Sequence, residues 1–387
     1  MNIQELDKTY VANTYGRFDL ALLKGKGSLL EDDQGKAYID LGTGIAVNAF
    51  GVADDAWQQA VTEQMALLPH ACNLYYTSPQ AELAKLLCEK TGMKKVFFGN
   101  SGAEANECAI KVARKYAYDT MGEDSPLIVT LKGSFHGRTI TTLSATGQED
   151  FHKHFGPFTP GFIHVDPDDF SQMESALQNP KVCAVFMEMV QGEGGVHVLD
   201  QAYVQKIAAL CKEKNVLLMV DEVQTGNGRT GELYGYMHYG IAPDVVSTAK
   251  GLGGGLPIGA CMMNEKTAGV LTLGSHGSTF GGNPICAAAA ISIVKRLDDD
   301  LMKEVKKKSV YIVNEISNAP GIKSISGLGL MLGVETEKPA KEIVALCQEK
   351  GVLVLTAKHK VRLLPALNIP MDLLIQGINI LKEAVKP

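Results

Sequence analysis

Short, continuously apolar segments separated by helix-like patterns are the feature that most restricts the fold of this chain. The segments are residues 95–98, 127–131, 182–187, 216–220 and 245–247. Strands that are apolar without alternation are buried on both faces. Between two of them, apolar residues recur at helical spacing at Val204, Ile207, Ala208 and Cys211. This alternation predicts an α/β fold with a largely parallel sheet covered by helices on both faces.

The length of the chain predicts more than one structural unit. Its 387 residues exceed the ~250–300 residues that one hydrophobic core usually supports. We predict an N-terminal segment at 1–48 that joins a small lobe, a large domain at 49–283, and a smaller α+β lobe at 284–387. In that lobe we expect a long helix from about Pro284, strands near 329–334 and 352–355, and a final helix from Met371.

Composition excludes several classes of protein. The formal net charge of −6 argues against nucleic acid or an anionic membrane surface as a partner. No apolar run approaches the ~20 residues that cross a bilayer, and the N-terminus lacks a signal pattern. The eight cysteines are scattered, without metal-ligand spacing, which is typical of reduced core thiols. These features predict a cytoplasmic protein without a metal centre.

Lys250 stands alone between the apolar segment 245–249 and the glycine-rich stretch 251–259. A lysine amine held among apolar and backbone groups can lose its charge. It can then form a Schiff base with a carbonyl substrate or with pyridoxal phosphate (PLP). The alternative is a strand-ending lysine that reaches solvent, and this segment alone favours that alternative.

Acidic residues follow two of the predicted strands. Asp221 closes the segment 216–220, where a buried carboxylate needs a cationic partner such as a pyridinium nitrogen. A magnesium-binding role for Asp221 would require a phosphate loop that the chain lacks. Glu188 and Glu193 follow 182–187 among glycines, and they suit a site that positions or neutralises a cation. Because ligands collect at the carboxyl ends of strands in open α/β sheets, we expect these acids to lie together.

Two further segments suit anionic groups. Residues 99–106 run into a helix, and Ser101, Gly102 and Ala103 form either an anion site at its N-terminus or an ordinary capping turn. The glycine-rich loop 274–283 carries Ser278 and Thr279, and it suits phosphate oxygens or is a simple turn.

Two arginines point to carboxylate recognition. Phe135 and Arg138 are three residues apart, so that a ring and a guanidinium can stack a planar group and hold a carboxylate. Between them, His136 is interpreted as a structural hydrogen-bond partner. Arg362 lies inside an apolar strand and needs an anionic partner or an open cleft. We expect it to bind a substrate carboxylate.

Together these motifs resemble the class III aminotransferases, which are PLP enzymes of fold type I. The resemblance rests on residues 100–106, 135–138, 191–193, 221–226 and 279–284, and it spans nearly the whole chain. It implies a large domain with a mostly parallel seven-stranded sheet, a smaller α+β lobe, and a homodimer with shared sites. It also implies PLP as the cofactor and 2-oxoglutarate as a substrate.

The resemblance implies a role for each matching residue. Lys250 would hold PLP covalently and move a proton, and Asp221 would keep the ring nitrogen protonated. The remaining cofactor contacts would be Ser101, Gly102, Ala103, Phe135, Val223, Gln224 and, from the partner subunit, Thr279. The substrate contacts would be Arg138, Ser278 and the pair formed by Glu193 and Arg362. That pair would open to let Arg362 bind the α-carboxylate of 2-oxoglutarate.

Two positions bear on the amino donor. Ornithine δ-aminotransferases place a tyrosine near the position of Gly44, and a glycine there leaves room for N-acetylornithine. Succinylornithine, ornithine and 4-aminobutyrate remain alternative donors, and a glutamate-1-semialdehyde-type aminomutase remains an alternative enzyme. Residues 50–55 replace a Gly-His-x-His-Pro stretch that is common in relatives. This difference affects the loop on the cofactor side.

Overall fold

The computed structural model describes all residues from 1 to 387. The helices are α1 (Ile3–Tyr10), α2 (Thr43–Ala46), α3 (Asp55–Leu67), α4 (Ser78–Thr91), α5 (Gly102–Met121), α6 (Ile140–Ala145), α7 (Glu149–His152), α8 (Phe170–Ala176), α9 (Gln201–Lys214), α10 (Pro284–Val294), α11 (Asp299–Ile316), α12 (Ala340–Glu349) and α13 (Met371–Val385). Short 3₁₀ helices cover Gly235–Tyr239 and Lys250–Leu252. No helix is both long enough and apolar enough to cross a membrane.

The strands form one large sheet and three smaller ones. They are β1 (Leu22–Lys26), β2 (Leu29–Asp32), β3 (Ala37–Asp40), β4 (Lys95–Gly99), β5 (Leu127–Leu131), β6 (Phe162–Val165), β7 (Val182–Met187), β8 (Val190–Gln191), β9 (His197–Val198), β10 (Leu217–Asp221), β11 (Val245–Thr248), β12 (Gly259–Met263), β13 (Ile322–Leu328), β14 (Met331–Thr336), β15 (Val352–Leu353), β16 (Leu355–Ala357) and β17 (Lys360–Leu363).

The large sheet confirms the predicted α/β fold. Its seven strands lie in the order β4-β12-β11-β10-β7-β5-β6. Only β12 runs antiparallel to its neighbours. Both faces are buried: Val185 and Val220 pack in a core with α9, whereas Phe186 and Met219 pack in a core with α5. Continuous apolar runs are the expected sequence of such strands.

The smaller sheets combine distant parts of the chain. One has the order β1-β2-β3-β15, in which β15 lies parallel to β3, and the other is the antiparallel sheet β13-β14-β17-β16. A third core joins residues of both ends of the chain. Helix α10 contributes Ala287 to the core of the large sheet and Ile293 to this third core. The boundaries 1–48, 49–283 and 284–387 stay predictions.

The structure differs from three expectations for local structure. The long helix from Pro284 is two helices, because the Asp298 side chain accepts a hydrogen bond from the backbone of Leu301 at 2.9 Å and caps α11. The strand expected at 352–355 is split between β15 and β16, which belong to different sheets. The strands β6 and β12 were not predicted, and the start of β12 lies in the glycine-rich stretch after Lys250.

Candidate functional site

A cavity of about 460 Å³ lies at the carboxyl ends of the central strands. Its walls come from the segments after β4, β5, β7, β10 and β11. The lining residues include Ser101, Gly102, Ala103, Phe135, Arg138, Asp221, Val223, Gln224 and Lys250. The structure therefore brings together most of the residues that the sequence singles out.

Lys250 lies two residues after the end of β11 and reaches the cavity from a left-handed backbone conformation with φ +45°. Burial lowers the pKa of the Lys250 amine, while the Glu193 carboxylate opposes that shift. The amine therefore tends towards its neutral form. A neutral amine in this position can act as a nucleophile or take up a proton.

Asp221 is the last residue of β10, and its side chain is 3% exposed. Its Oδ2 accepts hydrogen bonds from Asn106 Nδ2 at 2.7 Å and lies 2.8 Å from His136 Nδ1. Its Oδ1 accepts from the backbone N–H of Val223 at 2.9 Å. The carboxylate is thus fixed at the cavity wall. No lysine or arginine forms an ion pair with it, and it remains suited to a cationic ligand.

The His136 ring is buried between elements of the large sheet. It stacks on Phe186 with ring centroids 4.2 Å apart, and its Nε2 has no hydrogen-bond partner. The backbone N–H of His136 donates to Thr146 Oγ1 at 2.9 Å. This agrees with the interpretation of His136 as a structural partner, but the sequence did not indicate that Asp221 is the group it positions.

The N-terminus of α5 forms one end of the cavity. The Ser101 hydroxyl caps the helix by accepting from the backbone N–H of Glu104 at 3.1 Å, while Gly102 and Ala103 line the cavity. A Cβ at Gly102 would lie 2.7 Å from Val223 Cγ1, so only glycine allows this close approach. The capping turn and the anion site are therefore compatible, because capping uses the hydroxyl and leaves backbone N–H groups of the first turn available.

Two acids follow β7 in different environments. Glu188 is buried and accepts from the backbone N–H of Phe135 at 2.9 Å, and burial together with Asp221 raises its pKa. Burial also acts to raise the pKa of Glu193, but the Arg362 guanidinium overrides this effect and lowers it. Glu193 is consequently the charged member of the two.

Arg362 lies on β17, and its side chain is 3% exposed. One of its terminal nitrogens donates to Glu193 Oε1 at 2.6 Å and to Gln224 Oε1 at 3.2 Å. Its Nε has no partner. A buried guanidinium with free donors can bind a carboxylate if Glu193 gives way. This contact connects the sheet of β17 to the cavity of the large sheet.

The remaining predicted substrate and cofactor contacts lie nearer the surface. The Arg138 guanidinium is exposed and sits 3.9 Å from the ring centroid of Phe151. Ser278 Oγ accepts from Asn100 Nδ2 at 3.2 Å. Thr279 is exposed and does not line the cavity of its own chain. The structure thus leaves Thr279 apart from the other predicted site residues.

Glu222 was not singled out by sequence, although it follows Asp221 directly. It is fully buried and accepts three hydrogen bonds, from Thr225 Oγ1 and from the backbone N–H groups of Gly235 and Tyr236. Burial raises the pKa of Glu222 to about 7. A second acid after an apolar strand was the only available signal, and the partners of Glu222 could not be inferred from it.

This shift predicts a pH-dependent contribution to stability. Between the ordinary carboxyl pKa and about 7, the folded state binds a proton that the unfolded state does not, so the free energy of unfolding falls as pH rises. Glu222→Gln removes this titration. We expect its destabilisation relative to wild type to shrink by up to ~3 kcal/mol between pH 5 and pH 8. Urea unfolding of the cofactor-free protein at several pH values measures the difference. The exposed Glu174→Gln is the control, and a pH-independent difference for Glu222→Gln would contradict the expectation.

The residues of the cavity fit a planar, phosphorylated ring that carries a positive charge. The α5 N-terminus offers backbone donors to a phosphate. The buried Asp221 carboxylate suits a protonated ring nitrogen, and Phe135 offers an aromatic face. Lys250 supplies an amine with a lowered pKa. These are the features that PLP requires of its site.

Comparison with known proteins adds a family and relatives. The model of the class III aminotransferase family matches residues 10–385. An acetylornithine aminotransferase from Haemophilus ducreyi is 48% identical over 385 residues, which cover 99% of this chain and 98% of the relative. A succinylornithine transaminase from Citrobacter koseri is 45% identical over 367 residues, covering 92% and 90% of the two chains.

Solved structures support the fold across the chain. The ornithine aminotransferase from Toxoplasma gondii matches with a TM-score of 0.94 and 33% identity, covering 99% of this chain and 93% of the other. In that structure PLP partially occupies the active site. The similarity therefore extends over both the large sheet and the smaller sheets described above.

Proposed function

The chain belongs to the class III aminotransferase family, and from this premise we propose that it transfers the terminal amino group of N2-acetyl-L-ornithine to 2-oxoglutarate. The products are N-acetyl-L-glutamate 5-semialdehyde and L-glutamate, in a reaction of arginine biosynthesis. The enzyme is a PLP-dependent transaminase. The two substrates react in turn at one site, in a ping-pong cycle. The cytoplasmic location inferred from sequence is part of the same proposal.

The ion pair between Arg362 and Glu193 carries the proposal. The amino-bearing carbon of the donor carries no carboxylate, whereas the reacting carbonyl carbon of 2-oxoglutarate is bonded directly to its α-carboxylate. Glu193 forms an ion pair with Arg362 at 2.6 Å and neutralises its charge. The closed pair suits the amino donor, because the donor offers no carboxylate to Arg362 at its reacting carbon. A carboxylate that replaces Glu193 would gain the same charge-assisted hydrogen bonds. One cavity can then accept two substrates of different charge.

The mechanism assigns distinct tasks to the side chains of the cavity. We assign Lys250 as the covalent attachment point of PLP and as the base that moves a proton at the amino-bearing carbon of the substrate. When bound, PLP withdraws electrons from that carbon. Asp221 would hold the ring nitrogen protonated, and contacts with Asn106 and His136 fix the Asp221 carboxylate. Gln224 would bond the phenolic oxygen of the ring.

The remaining roles concern orientation. Gly102 and Ala103, after the cap Ser101, would hold the phosphate with their backbone N–H groups. Phe135 and Val223 would contact the ring. Arg138 would bind the α-carboxylate of the donor, because it lines the cavity near the surface, and Ser278 would lie beside the substrate.

Gly44 supports an acylated donor. It lies in the left-handed turn α2, in which Thr43, Ile45 and Ala46 also have φ between 46° and 64°. Because three larger residues adopt this conformation, the backbone alone does not require glycine at position 44. A Cβ there would meet only Val47 and Asn48 at 3.9 Å, an ordinary contact distance. The glycine therefore leaves space that a larger side chain would fill.

A comparison of donors tests the proposal. The kcat/KM values of N-acetylornithine, N-succinylornithine, ornithine and 4-aminobutyrate are measured, each with 2-oxoglutarate. We expect N-acetylornithine to be preferred over ornithine by at least ~10-fold, because the charged α-amino group of ornithine would lose water without a partner. A preference for ornithine would contradict the argument from Gly44. A preference for N-succinylornithine would instead assign the longer acyl group.

We also propose a homodimer in which Thr279 reaches the site of the partner subunit. Thr279 is exposed, and the nearby side chains of Leu273 and Phe280 are largely exposed as well. Apolar surface of this kind is typical of a protein interface. Light scattering should give twice the mass of one chain. Thr279→Ala should weaken PLP binding without changing that mass, whereas a monomer that binds PLP normally would contradict the proposal.

A further inference from the structure

The backbone at Lys250 is in a conformation that needs support. Lys250 has φ +45°, and the preceding Ala249 has φ −164° and ψ −140°. A residue with a side chain in the left-handed region is strained and persists only where neighbours hold it. The chain then turns through Gly254 and Gly255, which also have positive φ. Side chains from other segments of the chain therefore have to hold this turn.

Asn227 holds the turn on the side before Lys250. Its Nδ2 donates to Ala249 O at 3.2 Å and to Thr248 Oγ1 at 2.9 Å. The carbonyl of Ala249 can only accept, so it fixes the orientation of the amide. Asn227 is 3% exposed. A buried amide that donates to the residue next to Lys250 restrains the backbone there.

Trp57 holds the turn on the side after Lys250. The indole N–H donates to Gly253 O at 2.8 Å. The ring also packs against the turn: a Cβ at Gly254 would lie 3.1 Å from Trp57 Cδ1, and a Cβ at Gly255 would lie 3.5 Å from Trp57 Cζ2. Gly255 and the next three residues line the cavity. Trp57 is the single tryptophan of the chain. It does not line the cavity, but it supports the residues that form one of its walls.

Trp57 is itself fixed by the segment that differs from relatives. Asp54 Oδ1 accepts from the backbone N–H of Trp57 at 3.0 Å and caps α3. Arg296 forms an ion pair with Asp54 at 2.7 Å, and its guanidinium lies 4.0 Å from the ring centroid of Phe50. Phe50 and Asp54 belong to the segment that replaces the Gly-His-x-His-Pro stretch. The contacts of Phe50 and Asp54 therefore fix this segment, and Trp57 connects it to the turn that follows Lys250.

We propose that Trp57 and Asn227 are positioning residues that jointly hold the backbone of Lys250, one from each side. They touch neither the substrate nor the reacting atoms. They keep the amine of Lys250 directed into the cavity and withdrawn from solvent. Because one amine serves both halves of the reaction, loss of either support affects both halves. The reaction readout rests on the proposed function, but the support of the lysine does not.

The test uses two variants and a matched control in the full-length protein. Trp57→Phe keeps an aromatic ring and removes the indole donor. Asn227→Gly removes the amide and tolerates the φ of +58° found there. Tyr239→Phe is the control, because the Tyr239 hydroxyl donates to Leu199 O at 3.0 Å and to Met189 O at 3.4 Å, and none of these three residues lines the cavity. Each change removes a side-chain donor to the backbone.

The first readout is the labelling of Lys250 by an amine reagent in the cofactor-free protein, followed by peptide mass spectrometry as a function of pH. We expect Trp57→Phe and Asn227→Gly to raise the midpoint by about 0.7 pH unit, which corresponds to the roughly fivefold effect of one hydrogen bond. The lysine then gains water and retains its proton more strongly. Tyr239→Phe should leave the midpoint unchanged. This readout requires no transamination.

The second readout is single-turnover kinetics of each half-reaction with the PLP-loaded enzyme. Both variants should slow the two halves about equally, by roughly fivefold, with little change in KM. If Trp57→Phe and Asn227→Gly lose only thermal stability, as Tyr239→Phe is expected to do, the residues merely support the fold and the proposal is wrong. If no donor is transaminated but the labelling midpoints shift, the proposed function fails and the positioning role stands.

Discussion

Replacing Lys250 by alanine is expected to abolish covalent attachment of PLP and to lower the rate of transamination by at least ~10³-fold, within the range that a positioned acid–base group contributes. The chain has many other lysines, but Lys250 alone reaches the cavity, and burial lowers its pKa. The measurement is reduction of the loaded protein with borohydride followed by peptide mass spectrometry. Wild type should carry the adduct on Lys250, and Lys250→Ala should carry none.

Two control variants distinguish the loss of covalent PLP attachment from the loss of the positive charge of Lys250 and from general destabilisation of the protein. Lys250→Arg keeps a cation in the cavity but offers no neutral amine, so it should fail as completely as the alanine variant. Lys132→Ala removes an exposed lysine paired with Asp166 and should behave as wild type. An adduct on another lysine of the wild-type protein would assign the attachment point elsewhere.

The second large effect is expected for Arg362→Ala, and it should be confined to one half of the reaction. Removing one partner of a buried charged pair costs about 2–5 kcal/mol, so the half-reaction with 2-oxoglutarate should lose at least ~30-fold in kcat/KM. The half-reaction with the amino donor should change much less, because in the proposed cycle the pair stays closed in that half. Single-turnover kinetics with each substrate measure the two effects separately.

Glu193 provides an internal check on this result. In wild type the Arg362 guanidinium lowers the pKa of Glu193 against the effect of burial. Without Arg362, burial raises that pKa, and Glu193 should take up a proton at higher pH. The remaining activity should therefore have an altered pH profile. Arg362→Lys should give intermediate losses, because lysine keeps the charge but not the planar set of donors. Equal losses in both halves would contradict the proposed opening of the pair formed by Arg362 and Glu193.

The large sheet could be predicted from sequence because its strands are apolar on both faces. Neighbouring residues such as Val185 and Phe186 face opposite cores. A strand with one face exposed to solvent would instead alternate apolar and polar residues. The strand–helix alternation also predicted the parallel direction of most strands, but it could not predict the one antiparallel strand. The antiparallel strand β12 begins in a glycine-rich stretch that resembles a loop. The short strands β15 and β16 are nearly continuous in sequence, but they pair with strands of different sheets. Such choices depend on contacts distant in sequence.

The candidate site could be predicted only in part for the same reason. Lys250, Asp221 and Arg362 were recognisable because each is a charged residue next to an apolar run. Trp57 was not recognisable, since its hydrogen bond to Gly253 spans 196 positions of the chain. The contact between His136 and Asp221 likewise joins residues that are 85 positions apart. Local pattern identifies groups that are costly to bury, and the tertiary structure decides what each one meets.

The parallel pairing of β3 with β15 has a consequence for how the chain folds while the ribosome synthesises it. Ile39 is aligned with Val352 and Asp40 with Leu353, and the Thr43 hydroxyl donates to Leu364 O at 2.6 Å. These contacts hold the turn that leads to Val47, which lines the cavity. Thr43 must therefore wait for a partner that is made 321 positions later, although domains often fold during synthesis. Until residues 352–364 have been made, this wall of the cavity lacks its support, and the cofactor meets a complete cavity only after that.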